Sequence, residues 1–297
     1  MNVPLGFRYS AVYAGIRKSA KPDLALIVSD TPASAAAVFT TNLVQAAPVR
    51  LGRQHLAETG GIARAVLVNA GNANCATRTG DRVALTTSKA AAKAIGCRTV
   101  EVLPSSTGVI GVELDPKLIT NALPFLVDGL SAERFLDTAD AILTTDLVRK
   151  VAFAESAGFR VAGMTKGSGM IHPGMATTLA YVVTDAVVPP AALRKALQRA
   201  VKRSYNRLSV DGDMSTNDTL LVLANGASGV TPKSGILQAA LDEVCQSLAR
   251  QIARDGEGAQ KFVEIEVKGA ASEDAATRIA RAIANSPLVK TAIAGSD

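Results

Sequence analysis

Apolar residues in the first half of the chain come in short runs closed by turn-forming residues. Residues 24–28 run into Ser29, Asp30 and Pro32, and residues 65–68 run into Asn69-Ala70-Gly71-Asn72-Ala73-Asn74. Runs of this length with such endings predict buried strands passing into loops. Alanine-rich residues 84–95, closed by Gly96, predict a helix. Asp115-Pro116 supplies the cap and first-turn proline of another, and Ser131 precedes one that carries Phe135, Leu136, Ala139 and Leu143. Further on, Ile236, Leu237, Leu241, Val244, Leu248 and Ile252 recur at three- and four-residue steps until Gly256 stops them. Residues 262–268 alternate Val263, Ile265 and Val267 with Glu264, Glu266 and Lys268, which predicts a half-buried strand with one wet face. Ser272 is placed to cap a last helix through Ala284. Strands and helices are mixed without a repeat or a long linker, so the pattern predicts one compact α/β or α+β body.

Composition sharpens this picture in one respect. The chain has 297 residues, 48% of them hydrophobic, but only 4% are aromatic and none is Trp. The core must be aliphatic, which suits packed layers of sheet and helix. The net charge of +6 is spread out. Its densest group, Arg194, Lys195, Arg199, Lys202 and Arg203, is interleaved with Leu193, Leu197, Ala200 and Val201. That spacing predicts an amphipathic helix with a basic, solvated face. It lacks the aromatic or glycine signatures of nucleic-acid modules. Cys75, Cys97 and Cys245 form no C-x-x-C pair, and His55 and His172 have no partner at ligand spacing. A disulfide framework and a zinc site are both disfavoured, and a reduced, cytoplasmic compartment is expected. Residues 1–9 lack a signal-peptide pattern, and no apolar run approaches the ~20 residues of a membrane span.

The segment richest in chemical possibility is Gly163-Met164-Thr165-Lys166-Gly167-Ser168-Gly169-Met170-Ile171-His172-Pro173-Gly174-Met175-Ala176-Thr177-Thr178. A glycine-rich loop here ends on hydroxyl residues at the mouth of an apolar strand, residues 179–183. An ordinary turn is one reading. A phosphate-holding loop is another, although the P-loop spacing is absent. A third has Thr177 attack the Ala176 carbonyl and break the chain there. An N-terminal threonine carries its own base, an α-amine with a pKa of about 7.7–8.0, which suits proton transfer near neutral pH. Small neighbours such as Gly174 and Ala176 allow the sharp bend that cleavage needs.

The run Lys166-Gly167-Ser168-Gly169-Met170-Ile171-x-Pro173-x-Met175-Ala176-Thr177 resembles the self-cleavage segment of the ArgJ family, the ornithine acetyltransferases or bifunctional arginine biosynthesis proteins. Further blocks resemble that family in the same order. They are Asp23-Leu24-Ala25-Leu26-Ile27, Phe39-Thr40-Thr41-Asn42, Asn69 to Asn74, Ser105-Ser106-Thr107-Gly108-Val109-Ile110-Gly111, Thr144-Thr145-Asp146, the stretch 210–218 and Asp255-Gly256-Glu257-Gly258-Ala259.

The resemblance implies a layered αββα sandwich of the N-terminal-nucleophile type. It implies cleavage between Ala176 and Thr177, giving an α chain of 1–176 and a β chain that begins with the nucleophile. The implied reaction is ping-pong transfer of acetyl from N-acetylornithine to glutamate through acetyl-Thr177, with acetyl-CoA as a further donor in bifunctional members. No metal or organic cofactor is implied, and the implied assembly is α2β2. Thr107 and Gly108 match the family's oxyanion hole. Thr144, Lys166 and Glu257 match substrate contacts, Lys166 suiting a carboxylate and Glu257 an ammonium. Taken alone, these positions also read as a plain turn and as surface charges. Two departures stand out: Gly174 occupies a position where many members have Asn, and family members continue beyond Asp297. Competing expectations are an amidase or aminopeptidase working through the same acyl-Thr177, and an uncut, non-catalytic binding protein.

Overall fold

The structure is a computed structural model that describes residues 2–172 and 178–296. Eight strands form one hydrogen-bonded sheet: β1 (Phe7–Val12), β2 (Leu24–Phe39), β3 (Ile62–Asn72), β4 (Val102–Val109), β5 (Lys150–Ser156), β6 (Phe159–Lys166), β7 (Leu179–Thr184) and β8 (Thr219–Ala224). The order across it is β4-β3-β2-β8-β7-β6-β5, with β1 also paired to β2. β3/β4 and β7/β8 are parallel pairs, and the others are antiparallel.

The sheet doubles back on itself at β2. The first part of β2 pairs with β1 and β3, and residues 34–39 pair with β8. Side-chain alternation then builds the layers. Ala25, Ile27, Val66 and Val68 from one half meet Met164, Tyr181, Val183, Leu221 and Leu223 from the other in a shared core. On the outer face of the first half, Leu24, Leu26, Val28, Ala65 and Leu67 pack against α2 (Gly80–Ile95) and α3 (Pro116–Asp128). On the outer face of the second, Val161, Val182, Leu220 and Val222 pack against α5 (Pro190–Arg203) and α6 (Ser234–Arg254). The result is the expected αββα sandwich, with its two β layers continuous through one strand instead of forming separate sheets. Each fully buried Leu, Val or Ile contributes about 1.5–3 kcal/mol to holding these layers together.

Several local signals act where the sequence places them. Gly96 ends α2 in the left-handed region at φ +79°, which glycine reaches without a Cβ penalty. Asp115 caps α3 through Lys117 N. Ser131 accepts from Glu133 N, opening a short 3-10 turn ahead of α4 (Phe135–Ala141). The basic face of α5 points outward over buried Leu193, Ala196, Leu197, Ala200 and Val201, with Arg203 paired to Asp242. Ser272 caps α7 (Glu273–Ala284), which is followed by α8 (Pro287–Gly295). Between β2 and β3 lies α1 (Ala47–Glu58).

Three expectations need correction. The strand expected to end at residue 68 runs on to Asn72, because β4 pairs alongside Asn69, Ala70, Gly71 and Asn72 in parallel. No turn breaks the chain at Ser29-Asp30-Pro32. Strand β2 continues through it as a bulge, with the register shifting between Val28 and Ala33. The bulge leaves Pro32, which has no N–H, outside the ladder, and it re-aims the strand toward β8. Residues 262–268 form no strand. Their alternation marks two faces, but no neighbouring strand among the described residues supplies the ladder, and Val263 stays 46% exposed. No described helix is long and apolar enough to cross a membrane.

Candidate active site

Lys166 ends β6 directly opposite Leu179, the first residue of β7, so these strands carry the two ends of the glycine-rich segment. Pro173, Gly174, Met175, Ala176 and Thr177, and with them the expected nucleophile and cleavage point, lie outside the described residues. What flanks them is closely held. Upstream, Asp211 accepts from Met170 N at 2.5 Å and Ile171 N at 2.8 Å, and the Ile171 carbonyl accepts from Val210 N at 3.0 Å. Downstream, Asp218 Oδ1 accepts from Thr178 N at 3.0 Å. One loop, residues 208–218, therefore grips the segment on both sides.

The same loop reaches the expected oxyanion pair. Asn217 donates to Ser106 O and Ala73 O, each at 2.7 Å. Ser106 immediately precedes Thr107, which is buried near the end of β4. Gly108 faces Gly71 across the parallel β3/β4 pair at φ +129°. A Cβ at Gly108 would overlap the Gly71 carbonyl and lie 2.6 Å from Asn72 N, so only glycine fits.

The expected substrate contacts join from the other side. Lys166 is buried, not at the surface. Burial lowers its pKa, while Asp146 and Asp218 oppose the shift. Asp146 accepts from Gly167 N at 2.7 Å, Thr144 N at 3.2 Å and Lys150 Nζ at 2.6 Å. Burial alone would raise the Asp146 pKa. Lys150 and the Gly167 N–H outweigh it, and the carboxylate is held below its ordinary range. Glu257 is exposed; its N–H donates to Ser168 O at 2.8 Å, and its carboxylate lies where a Cβ on Gly169 would sit. Thr145 Oγ1 and Ser168 Oγ share a hydrogen bond of 2.7 Å. Thr144 and Glu257 take part in these bonds through their N–H groups, and Lys166, Thr107 and Gly108 lie within two residues of bonded ones, at Gly167 and Ser106.

The asparagines at 69–74 serve this frame. Asn69 bonds Ser106 Oγ at 2.7 Å and Asn72 O at 2.9 Å, and Asn74 bonds Gly80 O at 3.0 Å. Sequence reasoning named the blocks that hold Asp146, Asp211, Asn217 and Asp218 but gave these residues no individual part. The available signal was the polar pair Asn217-Asp218 directly before the wholly buried strand β8.

Asp218 carries a testable consequence. Burial raises its pKa well above the usual carboxylate value, against the Thr178 N–H, Lys166, Ser215 and Thr40. A carboxyl whose folded pKa exceeds its unfolded one binds more protons when folded. Its contribution to stability therefore falls as pH rises above about 3.9, the unfolded value. Asp218→Asn keeps an acceptor for Thr178 N and removes that dependence. Urea unfolding should show the variant gaining on the parent protein as pH rises above about 4; parallel curves would refute this.

Comparisons with known proteins place the chain in a family. The family model described as "ArgJ family" matches residues 8–297. The chain belongs to the ArgJ family. The arginine biosynthesis bifunctional protein ArgJ of Geobacter sulfurreducens is 50% identical over all of this chain and 78% of its own length. A solved ornithine acetyltransferase from Mycobacterium tuberculosis, complexed with ornithine, is 32% identical with a TM-score of 0.52. That match covers 60% of this chain and 94% of the solved one. A beta-aminopeptidase from Burkholderia sp. shares the fold alone, at 12% identity and a TM-score of 0.50 over 85% of each chain.

Proposed function

We propose that this ArgJ-family chain cuts itself before Thr177 and then transfers acetyl from N-acetylornithine to glutamate. In the cut, Thr177 Oγ attacks the Ala176 carbonyl, the peptide nitrogen leaves as an amine, and water hydrolyses the resulting ester. In the transfer, the freed α-amine takes the Oγ proton as Oγ attacks the acetyl carbonyl, and it passes that proton to the departing ornithine nitrogen. Glutamate's amine then attacks acetyl-Thr177 and leaves as N-acetylglutamate. Thr107 and the Gly108 N–H are the donors for the developing oxyanion. Lys166, Thr144 and Glu257 hold a substrate that carries both charges. Acetyl-CoA as a second donor, a transfer free of metal or organic cofactor, a cytoplasmic location and an α2β2 assembly follow from the same family resemblance.

The observation that carries this reading is that one loop holds the backbone on both sides of residues 173–177 through Asp211 and Asp218, while Asn217 of the same loop bonds Ser106 O beside Thr107. The solved ornithine acetyltransferase chain gives further support, since the share of this chain it covers is about the share made up by residues 1–176. An intact-mass spectrum tests the cut, with two pieces expected, the second beginning at Thr177. One uncut species of 30.6 kDa counts against it. The fold shared with a β-aminopeptidase motivates a second reading, in which water captures the acyl-Thr177 ester. Release of free acetate in excess of N-acetylglutamate would favour that reading over transfer.

A further inference from the structure

Lys150 opens β5 and is wholly buried, yet no step above uses it. Its ammonium has three donors, and these go to Asp146 Oδ1 at 2.6 Å, Asp255 Oδ2 at 2.5 Å and Val148 O at 3.3 Å. The side chains of Lys150 and Asp146 are fully inaccessible, and that of Asp255 is 5% exposed. Apolar side chains of the same volume pack at least as stably as a buried ion group. Stability alone therefore gives no reason for this arrangement.

The partners of the group supply one. Asp146 takes the backbone N–H of Thr144 and that of Gly167, the residue after Lys166. Asp255 takes Leu147 N at 3.1 Å and sits two residues before Glu257, whose own N–H bonds Ser168. One ammonium is thus bonded to both carboxylates that fasten the three segments bearing Thr144, Lys166 and Glu257. Removing it leaves the two carboxylates without the cation they share, and each pushes its loop away from the other.

We infer that Lys150 is a positioning residue that sets the spacing of Thr144, Lys166 and Glu257, and with it the fit of a substrate bearing both an ammonium and a carboxylate. The inference rests on the acetyl transfer proposed above. A displacement of about 1 Å in such contacts can cost as much as about 100-fold in catalytic efficiency.

Lys150→Met and Asp255→Asn test it. For each variant and the parent protein, KM for N-acetylornithine and glutamate, kcat, the fraction cut and the calorimetric Kd for ornithine are measured. Lys150→Met should raise both KM values and the ornithine Kd by about 10-fold or more, with kcat and the cut fraction far less affected. Asp255→Asn keeps an acceptor for Leu147 N and should shift the same constants in the same direction, by less. It carries the test alone if Lys150→Met does not fold. Unchanged KM and Kd in variants that fold, with kcat, cut fraction and unfolding midpoint dropping together, overturn the inference. A parent protein that transfers no acetyl group overturns the functional reading itself.

Discussion

Thr177→Ala should yield one uncut chain of 30.6 kDa with acetyl transfer at the background rate. On the proposed function, the substitution removes the hydroxyl that attacks Ala176 and the hydroxyl that carries the acetyl group, which are the same atom at two stages. No neighbouring group replaces an N-terminal threonine, because its base is its own amine and that amine exists only after the cut. Thr177→Ser retains an Oγ and should still give two pieces. The fold should survive in both variants, since Asp211 and Asp218 hold the backbone N–H groups of Ile171 and Thr178. Mass spectrometry reads the cut, and N-acetylglutamate formation reads the transfer. A Thr177→Ala protein that still divides at this point would overturn the nucleophile assignment.

The second large effect is expected at Gly108. An alanine there meets the Gly71 carbonyl and Asn72 N, and it must adopt φ +129°, where side chains are rarely found. The strain costs about 1–3 kcal/mol, and relief requires the ends of β3 and β4 to part. Parting them moves Thr107 and the Gly108 N–H together. Loss of such a donor lowers kcat by about 10²–10³-fold. Gly108→Ala should therefore lose both activity and stability, the first by more than the second explains. Gly111→Ala, at a glycine with nothing within 4 Å of the added Cβ, controls for backbone strain alone. Equal kcat in the two variants would remove Gly108 from the chemistry.

How much of this was legible depends on how local each cause is. Gly96, Asp115 and Ser272 act on backbone within three or four positions, so their helix ends read directly from the chain. The path of β2 does not, because Ser29, Asp30 and Pro32 look like a turn until β8, some two hundred positions later, pairs beyond them. Residues 262–268 fail the opposite way: alternation is local, but a strand exists only beside another strand. In the site, the motif blocks allowed Thr107, Gly108, Thr144, Lys166 and Glu257 to be named as expectations. Their assembly could not be read, since Asp146 bonds Gly167 across 21 positions and Asp211 and Asp218 bond Ile171 and Thr178 across 40. Lys150 left no trace, because one lysine at a strand start looks the same whether it meets water or two carboxylates.

The strand order has a consequence for how the protein ages. β7 and β8 follow Thr177 in the chain, yet they lie in the sheet between β2 and β6, which precede it. A cut at that point leaves two pieces joined through two full ladders and a common core, so nothing falls apart on cutting. Once such a pair is unfolded, however, its parts must find each other by diffusion, and recovery depends on their concentration. The uncut chain folds as one molecule; the cut one would persist through slow unfolding and not through ready refolding. Maturation would then act as a ratchet, exchanging a reversible fold for a durable one.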